Sequence, residues 1–212
     1  MTLFIAPAFF SGLVLSLSLI MAIGPQNAHV MRMGLKRQHL WLTIAVCVAT
    51  DIVLISAGVA GLARLGGLSD KLLGAMTGGG ALVLLLYGGQ ALRRFLQPGA
   101  SAGGLAPADG AGGMSRRQAI GAALALSWLN PHAWLDTAVL MGSASLAYAQ
   151  PENAVFGLGA VTGSIVWFSV LGLAMATLGQ HLDSPRIWRA LDGLVAVMMG
   201  GTALWLLTGL LH

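Results

Sequence analysis

Charged clusters cut the 212-residue sequence into apolar runs of roughly the length a helix needs to cross a bilayer core, about 20 residues. Six such runs can be read: about Leu3 to Ile23, Leu40 to Leu62, Leu72 to Leu92, the stretch after Arg117 to Leu146, Ala154 to Leu178, and Leu191 to Leu211. With 57% of residues apolar and 8% charged, against about a quarter charged in soluble domains, a water-soluble fold is excluded. The spans and their short connections use up the chain, so no separate soluble domain is expected. The first run lacks a basic flank and is long for a signal peptide, so it reads as a span.

The net charge of +4 does not point to nucleic acid, because the 11 Lys and Arg stand singly or in short clusters between apolar runs, where they set membrane orientation. Nine of the 11 lie in the first, third and fifth connections, which predicts both termini outside and those connections in the cytoplasm. Cys47 is alone in an apolar run, so neither a disulfide framework nor a thiolate metal site is available. No metal ligand set and no cofactor are expected.

A Gly, Ala and Pro-rich stretch without apolar periodicity divides the chain into residues 1–96, a flexible cytoplasmic linker 97–115, and residues 116–212. Three spans on either side force the halves into opposite orientations. The fold class expected is therefore an all-α membrane protein, six transmembrane helices in two inverted three-helix repeats. Each half opens with a broken span, at Gly24-Pro25-Gln26-Asn27 and at Leu129-Asn130-Pro131-His132. Each next span carries a central Thr, Thr50 and Thr162.

A proline inside a span removes one hydrogen bond and frees carbonyls that lipid cannot satisfy, so such a break must face protein, water or a ligand. A lone break is more often a kink satisfied by neighbouring helices. Two in corresponding places, flanked by Asn27 with Gln26 and by Asn130 with His132, point to a site at the repeat interface. Gly24, Pro25, Gln26 and Pro131 are then the helix-break and gating residues.

Asp51 and Asp136 stand in long uncharged stretches, where a carboxylate costs at least a few kcal/mol unless it faces a cavity, is protonated or meets a cation. No Lys or Arg within the spans is available to them, which leaves the substrate or a proton. The plainer alternative is a protonated Asp bonded to a neighbouring backbone or hydroxyl. His132 lies four residues before Asp136 on one helix face and suits either positioning the carboxylate, relaying a proton, or packing. Trp128 and Trp134 suit packing better than stacking on a cation. Gly74 with Gly78, and Gly159 with Gly163, have the spacing of close helix contacts, and the spacing leaves open a homodimer.

The run Gly24-Pro25-Gln26-Asn27-Ala28 with Arg32 and Gly34, together with Ser127-Trp128-Leu129-Asn130-Pro131-His132-Ala133-Trp134-Leu135-Asp136-Thr137, resembles the signatures of the lysine/arginine exporter (LysE-type) family. The resemblance implies efflux of L-lysine, L-arginine or similar basic amino acids across a bacterial inner membrane. It also implies that Asp51, Asp136, Asn130 and Pro131 matter for transport. His29 stands where members more often carry an aromatic residue.

On this reading the substrate-binding or proton-coupling residues are Asp51, Asp136, Asn27, Asn130 and His132. The aspartates would compensate the substrate cation, and the half-helix N-termini near Pro25 and Pro131 would receive its carboxylate. Two other readings are a same-fold exporter of neutral amino acids or of another small cation, and an intramembrane hydrolase using Ser127 and His132. The second lacks a Gly-x-Ser-x-Gly elbow and any glycine-rich oxyanion turn.

Overall fold

The computed structural model describes residues 5–21, 24–61, 70–96, 114–178 and 184–210, and within these it is helical with no strand. The helices are α1 (Ile5–Ile20), α2 (Pro25–Leu35), α3 (Leu40–Ala60), α4 (Asp70–Leu96), α5 (Arg116–Trp128), α6 (Pro131–Trp134), α7 (Gly142–Ser145), α8 (Glu152–Leu178) and α9 (Pro185–Leu210). A π-helix, Leu135–Met141, joins α6 to α7. Most of the linker, residues 97–113, lies outside the described residues.

Two helices, α3 and α8, are each long and apolar enough to cross a membrane, and α1 with α2 would make a third span bent by 73°. Large apolar side chains stay exposed on these elements: Val14 on α1, Trp41 and Val53 on α3, Leu158 and Leu173 on α8. Such a surface suits hydrocarbon and would be unfavourable in water. The chain is an integral membrane protein.

A helix starts at Pro25, where a half-helix is expected, and runs to Leu35. The departure lies in its burial: nine of its eleven residues are buried, Arg32 included, although Arg32 reads as an orientation-setting cation in a polar connection. Proline at the first position starts the helix, where the missing N–H costs nothing. Its polar sequence can lie at membrane depth because protein surrounds it on several sides. Ala28 and Leu35 pack with Leu84 of α4, Leu126 of α5 and Met199 of α9, while Val30 packs with Cys47 of α3 and Phe168 of α8.

The most extensive helix contacts join the two halves of the chain: α1 with α8, α4 with α9, and α3 with the run from α5 to α7. Glycine makes two of these approaches possible. Between α1 and α8, a Cβ on Gly159 would lie 2.0 Å from the Phe9 carbonyl oxygen and one on Gly12 would lie 2.0 Å from that of Phe156. A Cβ added at Gly163 would lie 2.9 Å from the Ser16 side chain, so the Gly159/Gly163 pair lines a helix crossing as its spacing predicts. Gly58 of α3 meets Ala138 of the π-helix, its added Cβ 2.4 Å from that carbonyl oxygen. The other expected pair fares differently: Gly78 has nothing within 4 Å of an added Cβ, and the side-chain position of Gly74 lies outside the described residues.

The turn between α2 and α3 holds Arg37 and His39 at φ 52° and 50°. His39 Nε2 lies 2.8 Å from the Met114 carbonyl oxygen, and the Met114 N–H donates to Gln38 Oε1 at 3.1 Å. The start of the second half is thereby pinned to this turn. Ser115 and Gln118 then open α5 with a reciprocal capping box.

Candidate functional site

Both helix breaks leave carbonyls that a helix would have used, and in both a later side chain supplies the donor. Asn27 Nδ2 donates to the Ile20 carbonyl at 2.8 Å, closing the C-terminal end of α1. Trp134 Nε1 donates to the Trp128 carbonyl at 3.0 Å, closing the end of α5. Where no water can serve, an unsatisfied carbonyl costs several kcal/mol, so these bonds make the breaks tolerable at membrane depth. Trp128 and Trp134 also pack edge to face, ring centroids 5.5 Å apart, in keeping with the packing role expected of them.

Around the first break the expected site residues converge. Asp51 is 3% exposed in the middle of α3, and Ser164 Oγ of α8 donates to its Oδ2 at 2.7 Å. Gln26 Nε2 of α2 reaches the other oxygen, Oδ1, at 3.5 Å. Asn27, next along α2, accepts at its Oδ1 from Trp167 Nε1 of α8 at 3.1 Å. One helix from the second half therefore contributes a hydroxyl and an indole N–H to two polar residues of the first. Both of these donors to the Asp51 carboxylate, a hydroxyl and an amide, are neutral.

Around the second break, Asn130 is buried and its carbonyl accepts from the N–H groups of Ala133 and Trp134, opening α6. Asp136 is half-buried on the π-helix, which packs on α3, the helix that carries Asp51. Thr137, buried beside it, bonds back to the Ala133 carbonyl. The side chains of Pro131 and His132 lie outside the described residues. Among the described residues no group of three or more His, Cys, Asp and Glu is placed to hold a metal ion.

The family model for LysE type translocators matches residues 17–210. The chain belongs to that family. Three similar proteins carry the name arginine exporter protein ArgO: those of Pectobacterium atrosepticum and Serratia proteamaculans, each 38% identical over 93% of this chain and 95% of theirs. The third, from Yersinia enterocolitica, is 39% identical over 90% of this chain and 91% of its own. No solved structure matches. As a LysE type translocator the protein is a transporter and not an enzyme.

Two partners in the Asp51 and Asn27 cluster carry little signal in the sequence. Ser164 and Trp167 sit in an apolar run with no charge or break nearby, and only the Thr162 position in the repeat pointed toward that level of α8. The pairing of Arg32 was equally hidden. It reads as an orientation-setting cation, but it is 2% exposed and ion-paired to Asp192 of α9.

Proposed function

We propose that the protein exports basic L-amino acids, arginine or lysine, across a bacterial inner membrane in exchange for protons. The observation that carries this reading is Asp51: a buried carboxylate between the two halves, held by the neutral donors Ser164 and Gln26. A fixed carboxylate at that depth is costly without a counter-charge, and a translocated cation supplies one transiently. The arginine-exporter names of the relatives agree with it.

The architecture proposed is six spans in two inverted repeats, residues 1–96 and 116–212, with a cytoplasmic linker and both termini outside. The helix contacts support it. If the spans are numbered in chain order, the first meets the fifth, the second meets the fourth, and the third meets the sixth. A two-fold exchange of the halves interchanges the first two pairs and maps the third onto itself.

In this mechanism Asp51 and Asp136 compensate the substrate's positive charge, with Asn27, Asn130 and His132 lining its path. The N-terminus of α2 and the start of the second half-helix at Pro131 attract its carboxylate. Gly24, Pro25, Gln26 and Pro131 allow the broken helices to rock. An inside-negative potential opposes cation export by about 2.3 kcal/mol per charge per 100 mV, and inward proton movement offsets that cost.

The test is efflux from vesicles containing the protein, loaded with labelled arginine, lysine, threonine or leucine, with and without a proton gradient. Arginine or lysine efflux that exceeds leucine efflux and is stimulated by external acid is the expected result. Equal efflux of arginine and leucine sinks the basic-substrate reading. Arginine efflux indifferent to the gradient sinks the proton exchange.

A further inference from the structure

Away from Asp51, at the far end of α2, lies a second buried polar cluster. Arg32 occupies the last turn of α2 and is ion-paired through Nη2 to Asp192 Oδ1 of α9. Arg94, in the last turn of α4, donates its Nε to the same oxygen at 3.1 Å. Lys36 follows directly after α2 and is half-buried. Burial first, then the neighbouring Arg32 and Arg94, hold its ammonium down to about 8. Three cations thus share one carboxylate.

The hydrogen-bond count is as unbalanced as the charge. Among the described residues, Arg32 Nε, Arg32 Nη1 and Arg94 Nη2 are buried N–H groups with no hydrogen-bond partner. A buried donor left unpaired bears the full cost of its lost hydration, and more so when it is charged. Guanidinium N–H groups arranged as a fork bind carboxylates and other small anions through paired, charge-assisted bonds. The vacant donors, the surplus positive charge and the shielding from water are the three elements of an anion site.

We propose that Arg32, Arg94 and Lys36 form a binding site for one small monovalent anion beside Asp192, at the junction of α2, α4 and α9. Its ligand is either an inorganic anion such as chloride or the carboxylate of an amino acid in transit. The site is distinct from the Asp51 cluster at the opposite end of α2, and it stands or falls independently of which cation Asp51 attracts.

The experiment follows thermal unfolding of the purified full-length protein in detergent, at constant ionic strength, as sodium chloride or sodium acetate replaces the bulky sulfonate salt sodium MES. A saturable rise of roughly 3 °C or more is expected once the anion exceeds its dissociation constant about tenfold. Arg94→Gln should flatten the response, and Asp192→Asn, which removes the competing carboxylate, should steepen it. Arg32→Lys, which keeps the charge but loses the fork, should weaken it and covers the case in which Arg94→Gln does not fold. Arginine and agmatine, its decarboxylated counterpart, separate the sources. Stabilisation by arginine alone, reduced by chloride, assigns the site to the substrate carboxylate; equal effects of the two compounds with a retained chloride response assign it to the inorganic anion. Identical midpoints in chloride, acetate and sulfonate overturn the proposal, as does a chloride response unchanged in both arginine variants.

Discussion

The Ser164 hydroxyl of α8 donates a 2.7 Å hydrogen bond to Asp51 Oδ2 of α3, tying the second half of the chain to the first at the one described carboxylate in the middle of α3. The side chain keeps its shape in Asp51→Asn: its one oxygen still accepts from Ser164, and its new NH2 faces Gln26, whose amide can turn to present an oxygen. That variant should fold and lose arginine efflux by at least about tenfold, the loss of about 1.4 kcal/mol of interaction with the passing cation. Ser164→Ala should instead lower stability by about 1–2 kcal/mol. Initial efflux rates from vesicles and unfolding midpoints separate the two, and normal efflux through Asp51→Asn removes Asp51 from the site.

Two glycines give opposite expectations for the same substitution. Gly159→Ala places a methyl group 2.0 Å from the Phe9 carbonyl oxygen, a contact that backbone cannot relieve by a rotamer change, so α1 and α8 must part. The variant should fail to accumulate or lose several degrees in its unfolding midpoint. Gly78→Ala, with open space around it, should be neutral or stabilising by up to about 1 kcal/mol. Folded yield by size-exclusion profile reads both.

The left-handed backbone at Arg37 costs a residue with a Cβ about 1 kcal/mol, and its exposed side chain offers little in return. Arg37→Gly should raise the unfolding midpoint by a degree or more. His39→Gly relieves the same strain but removes the contact from Nε2 to the Met114 carbonyl, so it should show no such gain. A His39→Gly protein more stable than Arg37→Gly contradicts the contact.

Lys36 gives a pH dependence of defined sign. Its value in the folded protein, about 8, lies below the 10.5 of a free lysine, so between these pH values the unfolded chain binds more protons than the folded one. Stability from this group therefore rises as pH increases from about 8 to 10.5 and is lowest below 8. Unfolding midpoints compared at pH 7.5 and 10 should show a rise that Lys36→Met reduces.

The sequence discloses Asp51 and the breaks at Gly24 and Asn130 plainly, because an unpaired carboxylate or a proline in an apolar run is conspicuous against its surroundings. It discloses less of what completes them. Ser164 and Trp167 are ordinary in a long apolar helix, and their role depends on α8 lying across α2 and α3, a matter of packing between residues more than 100 positions apart. Arg32 misleads for a related reason: near a span end a cation usually snorkels to water, and only the approach of α9 with Asp192 lets it turn inward. The π-helix around Asp136 has no sequence mark either, since widening one turn changes no residue type.

The contact of α1 with α8 limits how the molecule can move. With carbonyl oxygens seated against Gly12 and Gly159, an axial slip would carry each carbonyl out of the gap its glycine leaves and toward the side chains of the next turn. These two helices behave as a keyed joint that resists sliding. In the transport cycle proposed, α1 and α8 therefore travel together as one body.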